Sequence, residues 1–247
     1  MRALLEERRM TSPNPVPYVE HIGVTRQYWR DIILGVNDGL VSMLLLVAGV
    51  VGGGLDADQV LLTGVAGAIA GAVSMAAGEY LATKSQDQVL LAELDLERTH
   101  IAHYRDMEVD QIREMLTEMG VAPQDLDVVT TALSRDDETL LNAMKALEFG
   151  VVDTERRSPI TAMVVSGLLF LGGSLSSVLP FLFVKETGVG LAWSAGFTAI
   201  GLYAVGVVKG TVTRSNRALS GLENLLIAGL GGVLAWWVGR LVGMGLS

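Results

Sequence analysis

Apolar residues are concentrated in five blocks along the chain. The blocks cover approximately residues 32–54, 60–82, 160–184, 189–208 and 223–245. Each block is close to the roughly 20 residues that an α-helix needs to cross about 30 Å of hydrocarbon. The pattern therefore predicts an all-α integral membrane protein with five transmembrane helices.

The long polar stretch between the second and third blocks predicts a separate domain. From Ala82 to Met119 there is neither Pro nor Gly, so a helix can continue from the second span out of the membrane. A second helix is expected after Pro123, and the acidic run that starts at Asp136 favours the beginning of a third. The predicted parts are an N-terminal arm at 1–30, two spans at 31–84, a three-helix domain at 85–158 and three spans at 159–247.

Composition and charge narrow the classes of function. Half of the residues are hydrophobic and 18% are charged, below the roughly 25% that is usual for soluble domains. There is no cysteine, so a metal ion must use oxygen, nitrogen or thioether ligands. Residues 86–158 contain 17 acidic and 7 basic side chains, a net charge of −10. Such an acidic domain disfavours nucleic-acid binding.

Basic residues indicate the orientation in the membrane. Short loops rich in Lys and Arg stay in the cytoplasm. These residues cluster in the N-terminal arm, beside the polar domain and in the fourth connector: Arg2, Arg8, Arg9, Arg26 and Arg30; Lys84, Arg156 and Arg157; Lys209, Arg214 and Arg217. All three clusters fall on one side, so the N-terminus and the domain are predicted to be cytoplasmic. With no targeting segment recognised, a bacterial plasma (inner) membrane is expected.

Ionisable residues within the apolar blocks are the first candidates for function. A carboxylate near the bilayer centre costs roughly 2.5 to 3.5 kcal/mol on insertion scales. Asp38 in the first block is therefore a candidate cation or proton site, with Asn37 as a possible carbonyl ligand, although capping or pairing near the interface is the alternative. Met75 is either an ordinary core or lipid-facing side chain or a soft metal ligand that faces Asp38. Glu79 is either a further ligand or a solvated side chain beside Lys84.

The predicted helix beyond the second span carries a ligand-rich stripe. On a straight helix, seven side chains fall within an arc of about 80°. They are Glu93, Glu97, His100, Tyr104, Glu108, Gln111 and Met115. A solvated surface is one interpretation, but Glu97 with His100 and Glu108 with Gln111 repeat a three-residue spacing found in metal-binding helices. A bend near residues 103–107 would instead make the two pairs face each other; His103 lies about 60° off the stripe.

Glycine pairs at four-residue spacing allow helices to approach closely in lipid. They are Gly35/Gly39, Gly67/Gly71 and Gly206/Gly210. Either close packing within the chain or a subunit interface accounts for this spacing.

Three runs of sequence resemble the vacuolar iron transporter family. They are Asp31-Ile-Ile-Leu-Gly-Val-Asn-Asp-Gly-Leu-Val41, Gly71-Ala-Val-Ser-Met75 with Tyr80-Leu-Ala-Thr-Lys-Ser85, and Glu93-Leu-x-x-Glu97. The resemblance extends from about residue 30 to the end. It implies a homodimeric exporter of ferrous iron, and often of manganese, that is driven by proton antiport.

The resemblance also implies roles for particular residues. Asp38 and Met75 would line the translocation path at the dimer interface. The ligands of the cytoplasmic domain would be Glu97, His100, Glu108, Gln111, Met144 and Glu148. Three positions depart from the family pattern: His100 and Gln111 replace Glu, and Gly67 stands where many members carry a membrane carboxylate. A site with fewer carboxylates and one imidazole is expected to accept Fe2+, Co2+, Ni2+ or Zn2+. Metal binding at this site is expected to weaken as His100 becomes protonated.

Two classes of function remain open from the sequence. The first is a divalent-metal exporter of the Fe2+/Mn2+ type whose partners are the lipid bilayer, the transported ions, protons and a second copy. The alternative is a membrane-anchored metal sensor or storage adaptor. No permanent cofactor is expected, and the absence of a catalytic motif argues against an enzyme.

Overall fold

The computed structural model describes residues 26–150 and 158–246, with side chains from 29 to 150 and from 158 to 245. Most of the predicted arm, and Arg156 and Arg157, lie outside these residues. Within them the chain forms eight helices: α1 (Arg26–Gly52), α2 (Ala57–Glu118), α3 (Pro123–Leu133), α4 (Asp137–Leu147), α5 (Pro159–Val178), α6 (Pro180–Phe183), α7 (Thr187–Val212) and α8 (Arg217–Leu246).

Five of these helices are long and apolar enough to cross a membrane, namely α1, α2, α5, α7 and α8. For the described residues, the predicted all-helical architecture with five helices of membrane-spanning length is therefore confirmed. One predicted span is divided, because the block at 160–184 forms α5 and the short helix α6. The division falls at Pro180, which has no backbone N–H to continue the hydrogen bonds of α5. Conversely, α2 continues without a break from the second span into the domain, across the boundary predicted between residues 84 and 85.

Helix α1 is the centre of the bundle, since it packs against α2, α5, α7 and α8. Small residues allow this close packing. A Cβ on Gly173 of α5 would lie 2.5 Å from the carbonyl oxygen of Val36, which is too close for any side chain. The three glycine pairs singled out in the sequence also face other helices of the same chain. Close packing within the chain therefore accounts for their spacing.

Helices α5 and α7 are joined by buried hydroxyl groups. The hydroxyls of Ser177 and Thr198 lie 2.9 Å apart, and Ser194 Oγ donates a hydrogen bond of 2.7 Å to the backbone oxygen of Ser177. All three side chains are completely buried. Interhelical hydrogen bonds of this kind hold helices together where apolar burial gives no advantage over lipid.

A kink at Tyr104 divides α2 into two segments. The backbone of Tyr104 is not helical, with φ −134° and ψ 33°. Beyond the kink, the end of α2 packs with α3 and α4 around an apolar core: Ile101, Ile112, Leu116, Leu126, Leu140, Ala143 and Met144. Ion pairs from Arg113 to Asp127 and from Arg105 to Asp137 connect α2 to the two shorter helices. The helices predicted for the polar stretch are therefore present.

Candidate metal-binding sites

A cavity of about 490 Å³ lies between α1 and α2 within their apolar segments. Three of the residues singled out in the sequence line it, namely Asp38, Met75 and Glu79. Glycine residues of α2 and Phe170 of α5 form part of the wall. The cavity thus places carboxylate and thioether groups from two helices around one space.

Asp38 is partly buried on the central helix α1. Ser42, one turn later, donates a hydrogen bond of 2.7 Å from Oγ to Asp38 Oδ1. An ionised carboxylate can accept about four hydrogen bonds or ligand contacts in all. Asn37, proposed as an additional ligand, instead pairs with α8: its Oδ1 accepts a 3.4 Å hydrogen bond from Asn224.

The other wall of the cavity comes from α2. Met75 and Glu79 are one turn apart, and the Glu79 side chain is 16% exposed. Arg30 of α1 places Nη2 at 3.9 Å from Glu79 Oε1 and at 3.4 Å from Asp31 Oδ1. Lys84, the expected neighbour of Glu79, lies over the ring of Tyr80. An arginine thus stands beside the carboxylate at this end of the cavity.

A second group of ligands forms across the kink in α2. Ligand atoms of Glu97, His100 and Glu108 all lie within 4.8 Å of one another. His100 Nδ1 is 3.4 Å from Glu108 Oε1. On a straight helix, Glu97 and Glu108 would be about 16 Å apart along the axis. The kink at Tyr104 therefore brings them together, as the bent alternative required.

Both carboxylates of this cluster are buried, with 5% of Glu97 and 6% of Glu108 exposed. Glu97 Oε1 and Glu108 Oε2 have no hydrogen-bond partner. Burial, together with the smaller effect of the charges of Glu108 and Glu148, raises the pKa of Glu97 to about 7. Buried carboxylate oxygens without partners are costly, and a cation would satisfy them.

The remaining predicted ligands of the domain differ in their burial and contacts. Glu148 is exposed but near enough for its charge to act on Glu97. Met144 is completely buried in the apolar core, and Gln111 is partly buried. Glu93 is exposed and lines a separate cavity beside Phe149. His103 is exposed, and its Nδ1 lies 2.9 Å from the backbone oxygen of Thr99.

Two residues at the membrane cavity were missed from the sequence. Arg30 was considered only for orientation, and Met43 was not considered, although it lines the cavity. No local motif marks either residue. Met43 lies five residues after Asp38, about 140° around a helix, so a search along the face of Asp38 does not find it.

The fold is that of a membrane protein with several spans, and its two groups of oxygen, nitrogen and sulfur ligands are of the kind that binds metal cations. Residues 29–240 match the VIT family model, and the chain belongs to this family. The resemblance noted from the sequence is thus confirmed.

Individual relatives cover most of both chains. The chain is 30% identical over 213 residues to vacuolar iron transporter 1 of Tulipa gesneriana, which covers 86% of each chain. It is 32% identical over 213 residues to vacuolar iron transporter 2 of Oryza sativa subsp. japonica, covering 86% of this chain and 87% of that protein. Protein CCC1 of Saccharomyces cerevisiae is 29% identical over 222 residues, which are 86% of this chain and 68% of that one.

Proposed function

We propose that this protein exports a divalent transition-metal ion of the Fe2+/Mn2+ type across a membrane in exchange for protons. The observation that carries the proposal is the cavity shared by Asp38 and Met75 in the apolar segments of α1 and α2. A carboxylate is costly in such surroundings, and a thioether adds affinity for transition metals. Relatives named as vacuolar iron transporters support the same function.

The proposed transport cycle uses the two protonation states of Asp38. The ionised carboxylate binds the metal together with Met75, and Ser42 orients one of its oxygens. Protonation from the opposite side removes the negative charge and releases the ion. Glu79 would receive the ion at the Arg30 end of the cavity, where an incoming divalent cation competes with the guanidinium group.

The cluster beyond the span is proposed to collect metal before transport. Glu97, His100 and Glu108 offer two carboxylates and one imidazole within 4.8 Å, and Glu148 adds negative charge. Met144 and Gln111, together with Glu93 and His103, are proposed as further ligands of the same domain. Imidazole suits Fe, Ni and Zn, so ions other than Fe2+ and Mn2+ are included among its candidates.

A homodimer is proposed from the exposed surface of α2. Beyond the span, Val89 and Leu96 lie seven residues apart on one face of the helix and are 58% and 50% exposed. These side chains would face water in a single copy, and a second copy of the same helix would cover them. In the proposed orientation the N-terminus and the domain at 85–158 are cytoplasmic in a bacterial plasma membrane.

Metal uptake into proteoliposomes tests transport against the alternative of a sensor or storage adaptor. The purified full-length protein is reconstituted, and uptake of Fe(II), Mn(II), Co(II) and Zn(II) is followed with an imposed pH gradient. Gradient-dependent uptake above that of protein-free vesicles is expected. Binding of metal without uptake of any ion would reject transport in favour of the adaptor.

A further inference from the structure

Met43 lines the membrane cavity between Asp38 and the connector that joins α1 and α2, with Leu46 further along α1. Its side chain is 2% exposed, and it lines the same cavity as Asp38 and Met75. Its thioether lies over Gly67 of α2: a Cβ on Gly67 would be 3.5 Å from Met43 Cε and 3.7 Å from Met43 Sδ. The sulfur would thus be in ordinary van der Waals contact with that Cβ, whereas a methyl group of Leu46 lies closer and would have to move.

The cavity therefore has two levels along the helix axes. Met43 is five residues after Asp38 on α1, an axial displacement of about 7.5 Å. On α2, Gly67 is eight residues before Met75, or about 12 Å along the axis. Asp38 and Met75 form one level, while the sulfur of Met43 and the backbone of Gly67 form the other. An ion that leaves Asp38 toward the α1–α2 connector meets Met43 next.

The ligands at the two levels differ in chemistry. Asp38 carries a carboxylate and has the hydroxyl of Ser42 beside it. At the second level, the neighbours of Gly67 are the thioether of Met43 and a methyl group of Leu46. A hard cation such as Mn2+ loses oxygen ligands there, whereas a softer cation retains a sulfur ligand.

We propose that Met43 is a second thioether on the translocation path, and that it makes the path favour softer divalent ions, such as Fe2+ and Co2+, over Mn2+. This inference rests on the proposed function, because it concerns which ions pass through the cavity. Met75 alone supplies a sulfur beside a carboxylate. Met43 supplies one about 7.5 Å further along the axis of α1.

Competition between Co(II) and Mn(II) in proteoliposomes tests the inference. Met43→Leu keeps the apolar volume and removes the sulfur, a change that cores usually tolerate. The Co(II)-to-Mn(II) uptake ratio is expected to fall about tenfold, equivalent to about 1.4 kcal/mol. Met163→Leu is the matched control, since Met163 is a partly buried residue of α5 outside the cavity lining. Its ratio is expected to equal that of the unmodified protein.

A second variant at Met43 separates the effect of removing the sulfur from any reduction in the amount of folded protein. Met43→Gln keeps the unbranched shape and replaces the sulfur by an amide whose oxygen suits Mn2+. It is expected to raise Mn(II) uptake relative to Co(II) above the Met43→Leu value. An unchanged ratio in both variants would overturn the role of Met43 while leaving transport intact. Absence of uptake by the unmodified protein would instead reject the proposed function.

Discussion

Both groups of candidate ligands involve helix α2, but they are built differently. The membrane cavity has Asp38 and thioethers within apolar walls contributed by several helices. The cluster at the kink has Glu97, His100 and Glu108 from one helix, with two carboxylate oxygens lacking partners. The cavity offers few ligands, and its carboxylate is energetically costly in apolar surroundings. The cluster offers three ligand residues close together.

This difference indicates different tasks. A site that an ion must leave quickly needs few ligands and a way to lose its charge, and one carboxylate in an apolar cavity meets both needs. A site that gathers dilute metal needs more ligands and negative charge, which the cluster and nearby Glu148 provide. The comparison leads to four predictions, given from the largest expected effect to the smallest.

Asp38→Asn is expected to reduce metal transport to the background of protein-free vesicles. The amide keeps the shape and can still accept the hydrogen bond from Ser42, but it cannot ionise. Uptake is measured in proteoliposomes, and metal binding in detergent is expected to remain. Asp58→Asn, at an exposed ion pair with Lys185, is the control. Transport by Asp38→Asn near the unmodified rate would remove Asp38 from the mechanism.

Glu97→Gln is expected to weaken metal binding by the full-length protein by roughly tenfold or more, equivalent to about 1.4 kcal/mol. Transport at saturating metal should persist, because the cavity is unchanged. Calorimetric titration with Co(II) measures the affinity. Glu114→Gln serves as control, since Glu114 is exposed further along the same helix. If both variants bind equally well, the cluster is not the collecting site.

Metal binding at the cluster is expected to weaken as the pH falls below about 7. The pKa of Glu97 is raised to about 7, so below that pH the metal must displace a proton. For one displaced proton, the apparent affinity falls about tenfold per pH unit below the pKa and levels off above it. Titrations at pH 6, 7 and 8 measure this effect, and Glu97→Gln should flatten the profile. An equally steep pH profile in Glu97→Gln would contradict the assignment of this pH dependence to Glu97.

Without metal, Glu97→Gln is expected to raise the thermal stability of the protein slightly at pH 8. A folded-state pKa above the ordinary value means that ionisation costs folding free energy, which is fully felt above about pH 7 and absent below about 4.5. Melting temperatures of metal-free protein in detergent should therefore differ more at pH 8 than at pH 5. A larger increase in melting temperature at pH 5 than at pH 8 would contradict a raised pKa of Glu97.

The spans and the helices of the domain could be predicted because apolar blocks of the right length and helix-ending residues are local signals. Gly120, for example, ends α2 with φ +88°, a conformation that favours glycine. A bend near residues 103–107 was only one of two alternatives from the sequence, because neither Pro nor Gly marks the kink at Tyr104.

The contents of the membrane cavity were predicted in part. Asp38 and Met75 are conspicuous for their chemistry, whereas Arg30 approaches Glu79 only when α1 and α2 pack together. The pairing of Asn37 with Asn224 likewise depends on a contact between residues 187 positions apart. Such pairs depend on helix packing, which the residue pattern of one segment does not specify.

The most direct test is to record metal uptake and proton movement in the same proteoliposomes. Vesicles carrying the protein and an internal pH indicator are given Fe(II) outside, with Asp38→Asn vesicles measured in parallel. Metal uptake accompanied by proton efflux, with both absent in Asp38→Asn, is the predicted result. Metal uptake without proton movement, or equal fluxes in the variant, would contradict exchange at Asp38.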